Sequence, residues 1–426
     1  MNRFLYSLFL YLIAPVIFGR LLWRAKKNPA YGLRKAERFG FFDRHHFTNP
    51  IIWVHSVSVG ETIASAPMVK ALKQQYPGHT VLITTMTPTG SAQVRKLHGD
   101  TVEHVYAPYD LPDAVHRFLN KVKPVVAVII DTELWPNTIA ACHKRNIPVI
   151  IANARLSGRS AKGYGKLGGL TRRMMASISM IAAQDQDGGQ RFIQLGLPDS
   201  QLTVTGSVKF DLDVSDDIVQ SGKALRHRWQ REMGDDIQWL VAASTHEGED
   251  QKIIDAFKSV LTACPLARLV IVPRHPERFD DVYRLIVENN LEVVRHSQGL
   301  PTNRRTRVIL GDTMGEMMNF YGAADLAFVG GSLVATGGHN MLEPAALGVP
   351  VLSGPHIFNF EEISQSLIKA RGMMLVEDAE QLAKQTIHLL KDDHARQLMG
   401  NNAKRFVSTN RGALKQTLNI ISHFIN

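Results

Sequence analysis

The sequence predicts an α/β protein of two doubly wound domains, each with a parallel sheet, preceded by an apolar helix. Beyond residue 50, short β-branched runs alternate with Gly/Ser/Thr turns and with segments whose apolar residues recur about every 3.6 positions. The runs are almost continuously apolar, which is typical of parallel strands that helices cover on both faces. The alternation stops between residues 207 and 237 and then restarts, which predicts two domains rather than one.

The candidate strands form two groups on either side of this interruption. The first group comprises the runs 51–55, 80–84, 125–131, 148–153, 179–184 and 202–206. The second comprises 239–244, 268–273, 307–311, 326–331 and 350–354. We therefore expect a membrane anchor at residues 1–23, an N-terminal domain at 24–210 and a C-terminal domain at 211–426, whose last helix could pack back on the N-terminal domain. Ligands are expected in a cleft between the domains, beyond the carboxyl ends of the strands.

Length and composition exclude several classes of protein. With 426 residues and 45% apolar content, the chain can form two cored domains and is not a disordered tail protein. Cys142 and Cys264 lie too far apart for a Cys-x-x-Cys zinc or redox motif and do not suggest a disulfide framework, so a reducing compartment is expected. Most of the net charge of +10 lies within residues 1–44.

The membrane-like segment is "FLYSLFLYLIAPVIFG", from Phe4 to Gly19, and the basic sequence "RLLWRAKK" follows it. A cleaved signal peptide would carry its charge before the apolar run and a small-residue cleavage site after it, so cleavage is not expected. Two interpretations remain open: a single span with the rest of the chain in the cytoplasm, and an amphipathic anchor in the membrane interface. A buried first helix is the alternative to both, although the flanking lysines and arginines suit anionic headgroups.

Four strand-to-helix turns in the first half are rich in hydroxyls and glycines: "HSVSVGE", "TTMTPTG", "DTELWPN" and "NARLSGRS". Open backbone and short donors at helix N-termini suit anions and sugar hydroxyls. Any one Ser, Thr or Asn could simply cap its helix, but four such turns together indicate a polyhydroxylated or anionic ligand. Glu61 ends the first turn, where a carboxylate is accessible and the helix dipole keeps it ionised; the alternative is an acid that serves only that dipole.

The second half carries a more specific pattern. Arg274 in "VPRHPERF" follows a buried strand, where a guanidinium can bind a phosphate in forked geometry, although a surface ion pair with Glu277 is the alternative. "GDTMGEM" follows another strand and offers backbone groups at Met314 and Gly315. The glycines of "GGSLVATGGHNMLEPAALGVPVLSGP" permit close backbone approach, and Glu343 can accept hydrogen bonds from ribose hydroxyls or simply pair with the helix dipole.

Three other patterns do not indicate a cofactor or a metal. "GYGKLG" at 163–168 matches the dinucleotide fingerprint, but no strand immediately precedes it, so nicotinamide or flavin binding is not expected. The Asp-x-Asp pairs Asp185/Asp187 and Asp211/Asp213 lack supporting histidines and are interpreted as caps and surface; no metal and no cofactor is predicted. Residues 155–173 include six basic and no acidic side chains, which fits an anionic partner or a solvated face.

Eight motifs closely resemble, in order, those of the 3-deoxy-D-manno-octulosonic acid (Kdo) transferases. They are "HSVSVGE", "TTMTPTG", "TELWPN", "NARLS", "TGSVKFD", "PRHPERF", "GDTMGE" and "GGHNMLEPAALGVPVL". The resemblance runs from the N-terminal anchor almost to the last helix, and it implies a GT-B glycosyltransferase with two Rossmann-like domains. It also implies transfer of Kdo from CMP-Kdo, with inversion, to the lipid A precursor (lipid IVA) in lipopolysaccharide core biosynthesis. That reaction would take place at the cytoplasmic face of the cell inner membrane, without a bound metal.

The resemblance also assigns catalytic roles. Glu61 matches the family's proposed general base, which would take the proton from the attacking glucosamine hydroxyl. Lys209 of "TGSVKFD" matches a lysine that stabilises the transition state, with a surface charge as the alternative. Asp131 stands where the family usually has the first glutamate of Glu-Thr-Glu, so its support of the transition state would fall to a shorter carboxylate. Glu133 is interpreted as structural.

The same resemblance identifies a nucleotide site, in which Met341 stands where proline is common. The residues that match the family's CMP-binding segments are Pro273, Arg274, Met314, Gly315, Glu316, Asn340, Met341, Leu342 and Glu343. Expected partners are CMP-Kdo, the lipid A precursor and anionic inner-membrane lipids, but no nucleic acid. The precursor's phosphates and acyl chains suit a basic, membrane-facing N-terminal domain, with "NARLSGRSAK" as a phosphate contact.

Two alternatives belong to other classes. Another nucleotide-sugar transferase or an epimerase of the same fold would share the glycine-rich second domain, but "HSVSVGE" and "TELWPN" argue against both. A non-enzymatic basic binder of membranes or nucleic acid would explain the charge. It would not explain an acid, a lysine and a nucleotide-like site around one predicted cleft.

Overall fold

The computed structural model describes residues 2–43, 48–212, 214–234 and 236–425. The chain divides into two compact units. Unit 1 comprises Met1–Asp211 together with Arg411–Asn426, and unit 2 comprises Leu212–Asn410. The chain therefore returns to unit 1 for its last segment.

Unit 1 contains a seven-stranded parallel sheet in the order β3-β2-β1-β4-β5-β6-β7. Its strands are β1 (Ile51–His55), β2 (Thr80–Thr85), β3 (Glu103–Tyr106), β4 (Pro124–Ile130), β5 (Val149–Ala154), β6 (Met180–Ala183) and β7 (Leu202–Val204). The six predicted strands are confirmed. The edge strand β3 is not predicted from the sequence, because it starts with the half-buried polar residues Glu103 and His104 and buries only two apolar side chains.

Helices cover both faces of this sheet. They are α1 (Arg3–Lys27), α2 (Val59–Gln75), α3 (Pro88–His98), α4 (Pro112–Val122), α5 (Pro136–Lys144), α6 (Gly158–Gly165), α7 (Gly169–Met175) and α8 (Gln186–Gln194). Alternate side chains of β1 enter two separate cores, as expected for a pleated strand. Trp53 packs against Phe118 of α4 with ring centroids 4.8 Å apart, whereas Val54 packs on the other face with Val69 of α2.

The helix Ala413–Ser422 also packs on unit 1, where Ile421 joins the core around Val54. The Asp211 carboxylate accepts the N–H groups of Gly412 and Leu414, both at 2.6 Å, and so satisfies the start of this helix. Asp185 caps α8 in the same way, through the Gly188 N–H at 2.7 Å. Both aspartates are therefore caps, as predicted, and Asp213 lies outside the described residues.

The first helix is long and apolar enough to cross a membrane by its length and composition. Leu21 is the one buried residue of α1, which rules out the buried first helix considered as an alternative. Two tyrosine hydroxyls of α1 bind the rest of unit 1: Tyr6 donates to Asp110 at 3.0 Å and Tyr11 donates to Asp113 at 2.6 Å. Large apolar side chains on the rest of its surface, such as Val16, remain exposed.

Unit 2 contains a second seven-stranded parallel sheet, in the order β10-β11-β9-β8-β12-β13-β14. Its strands are β8 (Gln238–Thr245), β9 (Ala267–Pro273), β10 (Val293–Arg295), β11 (Val308–Leu310), β12 (Leu326–Val329), β13 (Val351–Ser353) and β14 (Met373–Leu375). The five predicted strands are confirmed. The two edge strands β10 and β14 are not predicted, because three residues, at most one of them buried, give no periodic signal.

Helices of unit 2 complete the doubly wound pattern. They are α9 (Asp216–Met233), α10 (Asp250–Ala263), α11 (Phe279–Glu288), α12 (Met317–Ala323), α13 (Leu342–Leu347), α14 (Glu361–Lys369), α15 (Ala379–Lys391) and α16 (Asp393–Thr409), and the last helix of the chain is α17 (Ala413–Ser422). The "GYGKLG" sequence lies in α6 and the turn after it, so it does not join a strand to a helix.

Each sheet has a switch point, where the chain passes from one half of the sheet to the other. In unit 1 this switch point lies between the neighbours β1 and β4, and in unit 2 it lies between β8 and β12. Ligands of open α/β sheets bind beyond the carboxyl ends of the strands at such a point. The turns after these four strands are therefore where each unit is expected to bind a ligand.

Candidate active site

Glu61 lies in the first turn of α2, directly after β1. Its carboxylate accepts the Val57 N–H at 2.7 Å and the Ser58 hydroxyl at 2.7 Å. The Ser58 oxygen in turn accepts the Glu61 N–H at 3.3 Å, so the two residues form a reciprocal capping box. The Ser-x-x-Glu spacing of "SVGE" signals this box, and the sequence reasoning missed it. The box fixes the carboxylate at the switch point.

Three acidic side chains meet at this switch point. Burial raises the pKa of Glu61; its bonds to Ser58 and Val57 oppose that rise, and the charges of Glu133 and Asp131 add to it. Burial raises the pKa of Glu133 as well, with a further contribution from Asp131. The turns after β1 and β4 thus bring together a base candidate and two acids that make it harder to ionise. A carboxylate with a raised pKa is a stronger base at neutral pH.

Asp131 occupies an unusual backbone conformation at the end of β4. Its φ is 62°, in the left-handed region that few residues other than Gly adopt. Asp enters this region more readily than Glu, because its short side chain can bond locally. The Thr132 hydroxyl lies 3.2 Å from the Asp131 carboxylate. The departure from the family's usual glutamate therefore coincides with a backbone position that favours the shorter acid.

Glu133 and its neighbours form a packed wall beside the acids. The Trp135 indole N–H donates to Glu133 Oε2 at 2.8 Å. The Trp135 ring meets the His55 ring edge to face, with centroids 4.8 Å apart. Burial lowers the pKa of His55 to about 4, so this imidazole is neutral at pH 7. This arrangement agrees with a structural role for Glu133, whose charge nevertheless acts on Glu61.

Lys209 lies in a 3-10 helix, Val208–Phe210, that follows β7. Its side chain is exposed, and its backbone N–H donates to the Ser207 hydroxyl at 3.4 Å. The buried Asn153, at the end of β5, accepts the Val208 N–H at 3.1 Å and so positions this segment. The sequence reasoning assigned no role to Asn153, although the "NARLS" motif contains it. Lys209 is thus placed three strands from Asp131 in the sheet order.

In unit 2, Arg274, Asn340 and Glu343 are brought together. Burial raises the pKa of Glu343, while a hydrogen bond from Asn340 and the positive charge of Arg274 lower it. Asn340 donates to Glu343 Oε1 at 3.1 Å and accepts the Leu342 N–H at 3.2 Å, which fixes both residues at the start of α13. Arg274 is exposed just beyond Pro273, the last residue of β9. Among the described residues, Glu277 pairs with His275 at 3.9 Å rather than with Arg274.

The remaining predicted nucleotide contacts differ in what they can offer. Met314 is exposed, Gly315 has a φ of 88° that favours glycine, and Glu316 lies 3.5 Å from His296. They follow β11, which neighbours β9, so this turn lies beside Pro273 and Arg274. Met341 and Leu342 are buried, and only their backbone groups can face a ligand.

Two histidines near Arg274 were also missed by the sequence reasoning. The rings of His246 and His339 stack with centroids 5.0 Å apart, and their Nε2 atoms are 2.8 Å apart. Burial, together with the positive charge of neighbouring groups, lowers the pKa of His339 to about 4. One ring must therefore donate to the other in the neutral state. Within the described ranges, no three His, Cys, Asp or Glu side chains form a set that could hold a metal ion.

A buried acid holds the glycine-rich turn after β12. Glu249 accepts the N–H groups of Gly331, Ser332 and Leu333 at 2.7, 3.0 and 2.8 Å. It also accepts the His246 N–H at 3.2 Å, which links the turns on both sides of the switch point. The acid of "STHEGE" is visible in the sequence, but its partners lie more than 80 positions away, so its role was not predicted.

We expect Glu249→Gln to destabilise unit 2 by about 3 kcal/mol, because hydrogen bonds to a buried charged group are lost and the amide group cannot accept at both positions. The free energy of unfolding, measured in urea, would show the loss. Glu247→Gln is the matched control, since Glu247 is two residues away and exposed. Equal stability of the two variants would contradict the role of Glu249.

Two family models match the chain. Residues 34–212 match the 3-deoxy-D-manno-octulosonic-acid transferase (kdotransferase) model, and residues 226–406 match glycosyl transferases group 1. Over 427 residues the chain is 43% identical to the 3-deoxy-D-manno-octulosonic acid transferase of Haemophilus influenzae, covering 100% of this chain and 99% of that protein. The chain belongs to the Kdo transferase family. The 3-deoxy-D-manno-octulosonic acid transferase of Bordetella pertussis is 34% identical over 440 residues, which cover 100% of both proteins.

Membership of the Kdo transferase family confirms the predicted resemblance and makes the chain a glycosyltransferase. Among solved structures, the UDP-GlcNAc 2-epimerase from Neisseria meningitidis bound to UDP-GlcNAc has a TM-score of 0.56 and 17% identity, covering 88% of this chain and 99% of that one. At this identity the likeness shows the fold alone. Together with the two parallel sheets and the group 1 model, it confirms the predicted GT-B fold.

Proposed function

We propose that this Kdo transferase takes Kdo from CMP-Kdo and transfers it, with inversion, to the lipid A precursor lipid IVA in lipopolysaccharide core biosynthesis. The proposal rests on Glu61, whose carboxylate has a raised pKa and lies near two further acids at the switch point of unit 1. Such a group suits the removal of a proton from an acceptor hydroxyl.

The donor is assigned to unit 2. Arg274 offers an exposed guanidinium for the phosphate of CMP, which a forked pair of N–H groups recognises well. Glu343, fixed by Asn340, offers carboxylate oxygens for ribose hydroxyls. The turn at Met314–Glu316 adds open backbone beside them. Every predicted CMP contact thus lies at or near the carboxyl ends of neighbouring strands of one sheet.

The proposed reaction is a single displacement. Glu61 accepts the proton of a glucosamine hydroxyl while that oxygen bonds to the anomeric carbon of Kdo from the face opposite CMP. The bond from this carbon to the phosphate oxygen breaks, and its electron pair leaves with CMP, so the configuration inverts. Lys209 offsets the negative charge of the leaving phosphate or of the Kdo carboxylate, and Asp131 stabilises positive charge that develops on the sugar.

The acceptor is a lipid, and α1 is proposed to hold the enzyme at the cytoplasmic face of the inner membrane. The large apolar side chains of α1 that face away from unit 1 are exposed, and its last turn carries Arg24, Lys26 and Lys27, which suit anionic lipids. Tyr6 and Tyr11 bind unit 1 near one end of α1, and the Phe18 ring lies 6.0 Å from the Phe39 ring near the other. These contacts along its length favour an anchor in the interface over a span.

The test is transfer from CMP-Kdo to tetraacylated lipid A precursor in detergent or vesicles, with the anomeric configuration of the product determined by NMR. We expect a Kdo-bearing product of inverted configuration, and a higher melting temperature with CMP than with UDP or NAD, because a bound ligand stabilises the folded state. Retention of configuration would contradict the mechanism. Stabilisation by UDP but not by CMP would indicate another nucleotide-sugar transferase or an epimerase instead.

A further inference from the structure

An apolar groove runs between α1 and the rest of unit 1, and its space, which is open to solvent, measures about 580 Å³. On the side of α1, Leu10, Ala14 and Ile17 line the groove from one face of the helix. On the opposite side it is lined by Phe39, Met86, Leu111 and Trp135. Hydrocarbon side chains therefore form most of both walls.

Of the polar side chains that line this groove, Tyr6, Asp110 and Trp135 already have partners, and Tyr109 adds a hydroxyl. The Asp110 carboxylate accepts the N–H groups of Asn137 and Thr138 at 3.0 and 2.7 Å, and the Tyr6 hydroxyl at 3.0 Å. The Trp135 indole N–H donates to Glu133. A polar ligand would gain few hydrogen bonds here, whereas an apolar ligand would remove hydrocarbon surface from water on both sides.

The groove lies next to the carboxylates at the switch point of unit 1. Trp135 lines the groove, and its indole N–H donates to Glu133 Oε2 at 2.8 Å. Glu133 is close enough to Glu61 for its charge to raise the pKa of that acid. A molecule with a hydrocarbon chain in the groove would therefore carry its polar head beside the proposed base.

We propose that this groove binds an acyl chain of the lipid acceptor during Kdo transfer. The subsite rests on the proposed function, because it belongs to the same acceptor. Its closeness to the carboxylates favours the acceptor over a bulk phospholipid such as phosphatidylethanolamine, which has no hydroxyl to present to Glu61. Unit 1 then supplies both features that a phosphorylated, acylated sugar needs: an apolar groove for the chain and a base beside that groove.

The test fills the groove from α1 and measures transfer to a series of acceptors that differ only in acyl chain length. Ala14→Trp places an indole in the groove, and Ala14→Leu is a milder version if the larger change disturbs the seating of α1. Val16→Trp is the matched control, since it adds the same ring two residues away, where Val16 is 71% exposed. The circular-dichroism spectrum and the melting temperature of each full-length variant report whether the chain is folded.

For the native enzyme we expect kcat/KM to fall about fourfold for each methylene removed from a chain that the groove buries. In Ala14→Trp, kcat/KM should depend much less on acyl chain length. The ratio of kcat/KM for acylated acceptor to that for deacylated acceptor should fall at least about tenfold, and Ala14→Leu should have a smaller effect. Val16→Trp should retain the native dependence.

Three results would overturn the subsite. Equal behaviour of Ala14→Trp and Val16→Trp would show that the groove takes no acceptor chain, as would a native enzyme whose rate ignores chain length. If Ala14→Trp weakens binding to phospholipid vesicles but keeps the native chain-length dependence, the groove takes bulk lipid. Inactivity of the native chain with every acceptor would instead overturn the proposed function, and the subsite with it.

Discussion

Glu61→Gln is expected to lower kcat for Kdo transfer by about 10² to 10⁴, the range that a positioned general base contributes. The amide has the size of the carboxylate but cannot accept the proton of the acceptor hydroxyl. Glutamine serves at the third position of a capping box as glutamate does, so the variant should keep α2 and its CMP affinity. The experiment compares kcat, the KM for each substrate and the melting temperature with those of the native enzyme.

Two controls separate the chemistry of Glu61 from its structural role in the capping box. Asp187→Asn removes another first-turn acid, on α8, whose side chain is exposed, and should leave kcat unchanged. Ser58→Ala removes the cap itself and should cost about 1 kcal/mol of stability, so it shows how far the loss of the capping box alone lowers kcat. Transfer at a near-native rate by Glu61→Gln would remove the base assignment and make Asp131 the next candidate.

The acid limb of the pH profile provides a second readout of Glu61. Because burial and the neighbouring acids raise its pKa, activity should fall with decreasing pH earlier than for an ordinary carboxyl group, as Glu61 takes up its proton. Glu133→Gln removes one of the negative charges that raise this pKa, so the limb should move to lower pH. An unchanged limb would mean that another group titrates.

The central strands of each sheet could be predicted from the sequence, whereas three of the four edge strands, β3, β10 and β14, could not. Strands such as β4 and β9 are runs of seven residues, nearly all buried, so their apolar signal is continuous. The edge strands β10 and β14 have three residues each and depend on the neighbouring strand for their backbone bonds. The sequence indicated the return of the last helix to unit 1 only as a possibility, because Asp211 binds residues 201 and 203 positions later.

The chemistry of the site was only partly readable. Glu61 could be found from its place on the turn after β1, and its capping partner Ser58 was available from spacing alone. The positive φ of Asp131 and the hydrogen bond that the Val208 N–H donates to Asn153 depend on how distant strands align, which one sequence does not display. The role of Glu249 could not be predicted for the same reason. The three hydrogen bonds that it accepts from the turn after β12 form only because β8 and β12 are neighbours in the sheet.

Lys209→Ala should lower kcat by about 10² to 10³, the cost of removing one preorganised group that stabilises developing charge. A charge needed mainly in the transition state affects kcat more than the KM for CMP-Kdo. Lys209→Arg keeps the charge but changes its geometry, so it should recover part of the rate. Lys96→Ala, an exposed lysine on α3, is the control for lost surface charge.

The same variants distinguish a role in chemistry from a hinge or surface role for Lys209. The backbone N–H groups of Val208 and Lys209 donate to the side chains of Asn153 and Ser207, and the alanine variant retains both bonds, so it should still fold. If Lys209→Ala instead raises the KM for CMP-Kdo at native kcat, the lysine binds the donor in the ground state. If it behaves like Lys96→Ala in both constants, the positive charge that the displacement requires must come from another residue.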